Sequence, residues 1–287
     1  MSASRAPLAA APTGPVSVPA AVRHIAANDA ITPVWQNSLG GTTFQLAASG
    51  GGPGDIDRFV KWVPAGTPEL ELADEAQRLA WARAHGARVP EVIDYASSDA
   101  GSWLVTRAVG DGAPGPAQFA AQSAVSDRWR DSPRRAARVL GEGLRELHER
   151  LPVAECPFSW SVEDRLEQVH ERFRRGDGPE TWSPEYRGLS PEHAFALLAD
   201  APPMTSPVVC HGDACAPNTL LTHTGGFAAH VDLGELGVAD PWADLAIAAW
   251  STEWNFGPGF EAEVYAGYGV APDHDRIAYY RLLWDLS

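Results

Sequence analysis

The chain has 287 residues, 45% of them hydrophobic, and a formal net charge of −15, so it is long enough for one large domain or two lobes with separate cores and too apolar to be disordered throughout. The acidic balance argues against a nucleic-acid binder and against docking on anionic lipid, since both need cationic surface to meet phosphates, and it suits a cationic partner. Three scattered cysteines, Cys156, Cys210 and Cys215, make no disulfide framework and point to a reducing, cytoplasmic setting, and no run of about 18 apolar residues offers a membrane span.

In chain order, residues 1–21 are rich in Ala and Pro, and Pro7, Pro12, Pro15 and Pro19 break the apolar helix that a secretion signal needs. They read as a loosely ordered extension. From Val34 to Leu46, Gly40 and Gly41 separate two aromatic and β-branched segments, which predicts a hairpin with a flexible tip. Residues 57–64 follow as a third strand in which Lys61 stands between apolar neighbours. Leu72, Ala76, Leu79 and Ala80 recur at helical spacing up to Gly86, and residues 90–96 and 101–109 read as strands. Residues 22–107 are thus a small sheet with one helix. From residue 108 to residue 287 the pattern is mainly helical, beginning with an amphipathic helix over 133–150 whose apolar face carries Val139, Leu140, Leu144 and Leu147.

One polar stretch interrupts that helical half, Cys210-His211-Gly212-Asp213-Ala214-Cys215-Ala216-Pro217-Asn218, between two short strand-like segments. Zinc would want about four ligands, commonly in paired units, and no second pair accompanies Cys210, His211 and Cys215. A nucleophilic Cys215 would need a base and an orienting group that sequence alone does not place. A third reading takes Asp213 and Asn218 with Asp232 further on: two strands bracketing a turn can bring the three to one end of a hairpin. Asp and Asn oxygens suit Mg²⁺, which takes few protein ligands and otherwise holds phosphates and water, and one carboxylate is left to face a hydroxyl.

His211-Gly212-Asp213, then Asn218, then Val231-Asp232-Leu233-Gly234 resembles the catalytic and metal-binding signature of the aminoglycoside phosphotransferases, relatives of the protein kinases. The segment from Gly237 to Ala246, the Cys156-Pro157-Phe158 triplet and the C-terminal residues 276–286 resemble that family too, so the similarity covers roughly residues 33–287. It implies an α+β, two-lobed, protein-kinase-like fold, with a nucleotide-binding lobe over 22–107 and a catalytic and substrate-binding lobe over 108–287. It implies transfer of a phosphoryl group from ATP, or GTP, with Mg²⁺, to a hydroxyl of a small cationic aminoglycoside, and no nucleic acid, membrane or obligate protein partner. Carried over residue by residue, Asp213 faces the substrate hydroxyl, Lys61 contacts the phosphates and is held by Glu75, and Asn218 and Asp232 hold Mg²⁺. The tip with Ser38, Gly40, Gly41 and Thr42 covers the phosphates through backbone N–H groups, and the base lies along Arg107, Ala108 and Val109.

Glu180, Glu185, Glu235 and Asp285 resemble a carboxylate surface for substrate amines, and Trp284 adds a stacking face. Four positions depart from the family: Leu39 stands directly before the first glycine of the tip where Ser is usual, Glu235 where Arg is usual, Trp284 where an acid is usual, and Ser287 where an aromatic is usual. His211 is expected to brace the loop, and Asp240 and Asp244 to cap a helix behind it. Two alternatives remain beside the aminoglycoside reading: a kinase of another small hydroxylated molecule, such as a macrolide, a cyclic-peptide antibiotic, choline or a sugar amine, and a kinase-like protein that only binds a cationic ligand.

Overall fold

The structure is a computed structural model that describes residues 9–37, 39–49, 57–67, 71–110, 120–204 and 206–287. Its first elements are β1 (Ala9–Ala10), which pairs antiparallel with β2 (Ala30–Asn37), and α1 (Ala20–Ala26). The prolines before α1 prevent a helix but not burial, because Val16 and Val18 still reach the apolar cluster formed by Val22, Ala26, Phe44, Leu46, Val60 and Val105. From Ala9 onward the expected loose extension is therefore laid against the sheet.

Strands β3 (Thr42–Ala47), β4 (Arg58–Pro64), β5 (Val92–Ser98) and β6 (Gly101–Arg107) complete a six-stranded antiparallel sheet in the order β1-β2-β3-β4-β6-β5. The two-residue period of a strand sends Phe44 and Leu46 into the cluster under α1 and turns Thr43 and Gln45 the other way. Thr43 lies opposite Lys61 in the β3–β4 pairing, so Lys61 shares that second face. Helix α2 (Leu72–Ala84) buries Leu72, Glu75, Leu79 and Ala82, whereas Ala80 is exposed. A carboxylate on the buried stripe of a helix needs a partner, and Lys61 supplies it.

The rest of the chain comprises β7 (Gln122–Ser123), α3 (Pro133–Arg150), α4 (Val162–Arg175), α5 (Pro191–Ala199), β8 (Val208–Cys210), β9 (Thr219–Leu221), β10 (Phe227–His230), β11 (Gly237–Ala239), α6 (Trp242–Phe256), α7 (Glu261–Tyr268) and α8 (His274–Leu286). Start and stop signals are written in the sequence. Ser161 and Asp164 form a capping box at α4, which ends on Gly176 in the left-handed region, and Ser190 and Asp273 cap α5 and α8. Helices α3 and α7 pack backbone against backbone: a Cβ on Gly141 would lie 2.0 Å from the Val264 carbonyl oxygen, and one on Gly267 would lie 2.1 Å from that of Arg138.

Three apolar clusters hold these layers. Besides the one under α1, a large cluster joins α3 to α8 in the helical half. A third runs between the halves, from Leu72 and Leu79 of α2 through Leu147 and Leu151 at the end of α3 to Val209, Leu233 and Leu236. The strand pairing around the polar stretch differs from the single hairpin expected. Strand β8 pairs with β11, and β9 pairs with β10, so the stretch crosses from one small sheet to another. Three-residue strands are too short for periodicity to choose partners. No helix among the described residues is long and apolar enough to cross a membrane.

Candidate active site

The polar stretch leaves β8 at His211 and is held from behind by the fully buried carboxylate of Asp244, in the first turn of α6. Its Oδ2 accepts the His211 amide at 2.6 Å and its Oδ1 the Gly212 amide at 2.9 Å, and His148 Nε2 lies 3.0 Å from Oδ2. Burial opposes ionisation of Asp244, but the His148 contact and the backbone donors outweigh it and hold the carboxyl below its usual range. Gly212 has φ +88, and a Cβ there would sit 2.2 Å from the Glu235 carbonyl oxygen, so a side chain fits neither the backbone angle nor the space. Asp240 caps the same helix through Trp242 N–H at 3.0 Å and pairs with Arg276 at 2.8 Å.

His211 is buried, with Nε2 on the Val231 carbonyl at 3.0 Å and Nδ1 accepting the Asp213 amide at 3.3 Å, which fixes the tautomer as Nε2–H. It is a brace. His148, Cys210 and Asp244 bring three potential ligand atoms within 4.8 Å of one another, yet both Asp244 oxygens already take backbone amides, and burial pushes the Cys210 thiol far above its usual value. The group is a hydrogen-bonded core, not a zinc centre.

Asp213 and Asn218 meet at the mouth of the turn. Asn218 Nδ2 donates to the Asp213 carbonyl at 2.9 Å and to Asp213 Oδ2 at 3.0 Å, while the Cys215 thiol lies 3.0 Å from Asp213 Oδ1. Asp232 follows β10 with φ +63, a left-handed conformation uncommon outside glycine. From the opposite lobe Lys61 Nζ reaches Asp232 Oδ1 at 2.6 Å and Glu75 Oε2 at 2.7 Å. Burial alone favours a neutral amine, but the two carboxylates reverse this and raise the Lys61 pKa. The five polar residues selected from the sequence thus fall into two bonded groups, Lys61 with Glu75 and Asp232, and Asp213 with Asn218, and the Val231 amide on the Asn218 carbonyl at 2.9 Å holds the two segments side by side.

Lys61, Glu75, Asn218 and Asp232 line a cavity of about 580 Å³ between the lobes. Thr43 and Gln45 line it from β3, and Phe59, Leu104 and Leu220 give it apolar walls. The tip residues are arranged otherwise than expected. Ser38 lies outside the described residues. The amides of Leu39 and Gly41 donate to Asn37 Oδ1 and that of Gly40 to the Asn37 carbonyl, so the tip is folded onto Asn37. Thr42 is buried in the ladder, and its neighbour Thr43 takes the cavity face, a shift that the alternation of Thr42-Thr43-Phe44-Gln45-Leu46 could have revealed. Along the connection between lobes, Ala108 N–H donates to the Asp57 carbonyl and the Val109 carbonyl accepts from Ala121, so those two groups are engaged within the protein. Arg107 pairs with Glu91 at 2.7 Å, and Arg107 and Val109 both border the cavity.

The expected carboxylate surface is only partly assembled. Asp285 is buried, and its oxygens accept the Ser183 amide at 2.7 Å and the Ser183 hydroxyl at 2.6 Å, so it anchors the 183–187 turn to α8 instead of facing a ligand. Sequence could not separate the two because an aspartate near a helix end serves either role. Glu180 is exposed on the turn closed by Gly178 and Thr181. Glu185 lies near Arg281, Asp285, Glu253 and Glu261; partial desolvation and those carboxylates raise its pKa against the opposing Arg281. Glu235 abuts the polar stretch at Gly212, and burial, reinforced by Asp213 and Asp232 against Arg78 and Arg165, raises its carboxyl to about 7.

Trp284 stacks at 5.5 Å and 30° on Trp254, which is exposed, and both meet Trp250. The sequence reading did not include Trp254. Its signal was helical spacing from Ser251, whose hydroxyl accepts the Ala216 amide of the polar stretch at 2.9 Å; three residues on, Trp254 lies on the same side of α6.

A two-lobed fold with a lysine–carboxylate pair opposite an Asp, Asn and Asp constellation defines a kinase-like phosphotransferase. The sequence profile of the phosphotransferase enzyme family matches residues 37–280, and the chain belongs to that family. It is 32% identical over 263 residues to the aminoglycoside 3′-phosphotransferase of Streptomyces fradiae, covering 87% of this chain and 92% of that one. It is 34% identical over 242 residues to the streptomycin 3″-kinase of Streptomyces griseus, covering 79% and 83%. Among solved structures, an aminoglycoside 3′-phosphotransferase of type VIII superposes with a TM-score of 0.75 at 29% identity over 93% of this chain and 97% of its own. An aminoglycoside phosphotransferase of Streptomyces rimosus in complex with ADP and streptomycin gives 0.66 at 27% identity over 92% and 95%.

Lys61→Met removes the cation shared by Glu75 and Asp232. Orphaning a buried charge costs about 3–5 kcal/mol, and water recovers part of that here because the Lys61 and Asp232 side chains are 23% and 43% exposed. A loss of about 2 kcal/mol in urea denaturation is expected, partly restored in the Lys61→Met/Glu75→Gln double variant, where no uncompensated carboxylate remains in α2.

Proposed function

We propose that this enzyme transfers the γ-phosphoryl group of ATP, or of GTP, to a hydroxyl of an aminoglycoside, and so inactivates the antibiotic. The observation that carries the reading is that Lys61, Glu75, Asn218 and Asp232 line one interlobe cavity, with Asp213 bonded to Asn218 beside it. The substrate class is supported by relatives named as aminoglycoside 3′-phosphotransferase and streptomycin 3″-kinase, and by the related structure in complex with ADP and streptomycin. Residues 22–107 then bind the nucleotide, and residues 108–287 supply the catalytic loop and the substrate surface. That Cys156, Cys210 and Cys215 form no disulfide with one another agrees with a cytoplasmic enzyme.

In the reaction the substrate oxygen forms a bond to the γ-phosphorus as the bond from that phosphorus to the β–γ bridging oxygen breaks. The leaving diphosphate takes the electron pair, and the hydroxyl proton passes to Asp213. Such a transfer needs little covalent help, so positioning and charge neutralisation dominate. Lys61, anchored by Glu75, places a cation beside the phosphates. The donor set fits Mg²⁺: the Asn218 amide nitrogen is taken by Asp213, which leaves its carbonyl oxygen, with the Asp232 carboxylate, as hard oxygen donors. Bound there, Mg²⁺ supplies neutralisation of phosphate charge. Asp213 aligns the hydroxyl and accepts its proton late. Glu235 and Glu185 face the amines of the substrate, and the indoles of Trp254 and Trp284 offer a flat surface to a sugar ring or a cation.

The deciding experiment is triphosphate turnover against a panel of aminoglycosides, choline and a macrolide. Turnover with at least one aminoglycoside is expected, together with raised resistance in a susceptible host. Asp213→Ala should lower kcat by several orders of magnitude at near-normal nucleotide affinity, since alignment in such sites is worth roughly 7 kcal/mol; retention of more than about a tenth of turnover rules the role out.

The carboxyl of Glu235, raised to about 7, is neutral below that pH and charged above it. KM for an amine-rich substrate should therefore fall as pH rises through about 7, and Glu235→Gln should flatten the profile while leaving KM for the nucleotide unchanged. Trp254→Ala should raise KM for the aminoglycoside roughly two- to fivefold, as expected for a cation–π contact on an exposed indole, with kcat little altered. Equal effects on both substrates would place Trp254 outside the acceptor site.

A further inference from the structure

We propose that Cys215 is a positioning residue for Asp213: its thiol, together with the Asn218 amide, locks the plane of the carboxylate that faces the substrate hydroxyl. This rests on the phosphotransferase reading above and assigns a role to a residue that reading does not use.

The argument starts from the freedom of an aspartate. Its terminal torsion is broad and roughly two-fold, so a carboxylate held at one oxygen can still swing about that contact. Here each oxygen has its own donor, Asn218 Nδ2 on Oδ2 at 3.0 Å and Cys215 Sγ on Oδ1 at 3.0 Å. Two donors on two oxygens fix the plane, and each oxygen retains lone-pair capacity for a hydroxyl.

The donors are themselves held. The turn from Cys215 to Asn218 is closed by the Asn218 amide on the Cys215 carbonyl at 2.9 Å, and the Ala216 amide is tied to Ser251 of α6 at 2.9 Å. The sulfur is thus one torsion, χ1, from a backbone held on both sides. A separation of 3.0 Å is short for a sulfur donor, and it places the S–H proton between sulfur and carboxylate, the only arrangement that avoids repulsion between two acceptors. Chain spacing does the rest: Cys215 is two positions and Asn218 five positions beyond Asp213, so one turn presents both donors to the same side chain.

Steady-state kinetics of Cys215→Ala and Cys215→Ser with the best aminoglycoside of the panel test the role. Loss of one hydrogen bond to a charged group predicts a fall in kcat of about tenfold in Cys215→Ala, with KM for both substrates unchanged. Serine restores a donor at the same place, so Cys215→Ser should recover at least half of the lost rate, which a role in packing alone does not predict. Normal kcat in Cys215→Ala, or equal loss in both variants, overturns the proposal.

A second measurement needs no acceptor substrate. The infrared S–H stretch of Cys215, identified by its disappearance in Cys215→Ser, should lie at lowered frequency and move back up in Asp213→Ala. A band insensitive to Asp213→Ala overturns the contact itself. If no aminoglycoside is turned over by the unmodified enzyme, the proposed function fails while the infrared result still decides whether Cys215 holds Asp213.

Discussion

The buried carboxylate of Asp244 is the contact on which the active site depends. Two successive backbone amides, those of His211 and Gly212, point into the protein and have no strand partner there; a carboxylate at the start of α6 takes both. An unpaired buried amide costs as much as a lost hydrogen bond, so without this acceptor the turn would have to face water and Asp213 would move with it. Burying that charge is tolerable because His148 stands against it, and His148 is in turn bonded to Tyr268 at 2.9 Å. The loop is therefore part of the helical core and not a surface appendage.

A second constraint joins the lobes. Lys61 reaches from the sheet to Asp232, so the buried Glu75 in α2 and the Asp232 side of the cleft share one cation and belong to one network. The apolar cluster from Leu79 to Leu236 runs behind it. Electrostatic reach and hydrophobic packing thus bridge the same seam, the first specifying which residues face each other and the second keeping water from weakening that choice.

Most of this architecture was legible in the sequence where periodicity was long or a polar residue stood alone. Helix α3 shows its apolar face over five turns, and Lys61 stands out among apolar neighbours, because a charge inside a strand must be paired; Glu75, between Asp74 and Gln77, was picked out by the family resemblance alone. Partner choice among β8, β9, β10 and β11 was not legible, since three- and four-residue strands carry too little pattern. The nucleotide tip was misjudged for a local reason: Asn37, unremarked in the sequence, competes for the amides of Leu39, Gly40 and Gly41 through an Asx-type turn. Asp285 was misplaced because burial of a single aspartate depends on the distant Ser183, which no local pattern connects to it. Trp254 was missed because an aromatic at helical spacing reads as core until its neighbours are known.

The reciprocal glycines of α3 and α7 give this enzyme a mechanical linkage. Tyr268 sits one residue beyond Gly267, and its hydroxyl meets His148 on α3; His148 meets Asp244, and Asp244 carries the loop. The closeness of two helix backbones therefore sets the stiffness of the turn that aims Asp213. Any side chain added at that seam, even a methyl group, forces the helices apart and shifts the whole series of contacts. Sequence drift at that seam, far from the cleft, is therefore felt in the Asp213 turn as well as in the helix packing.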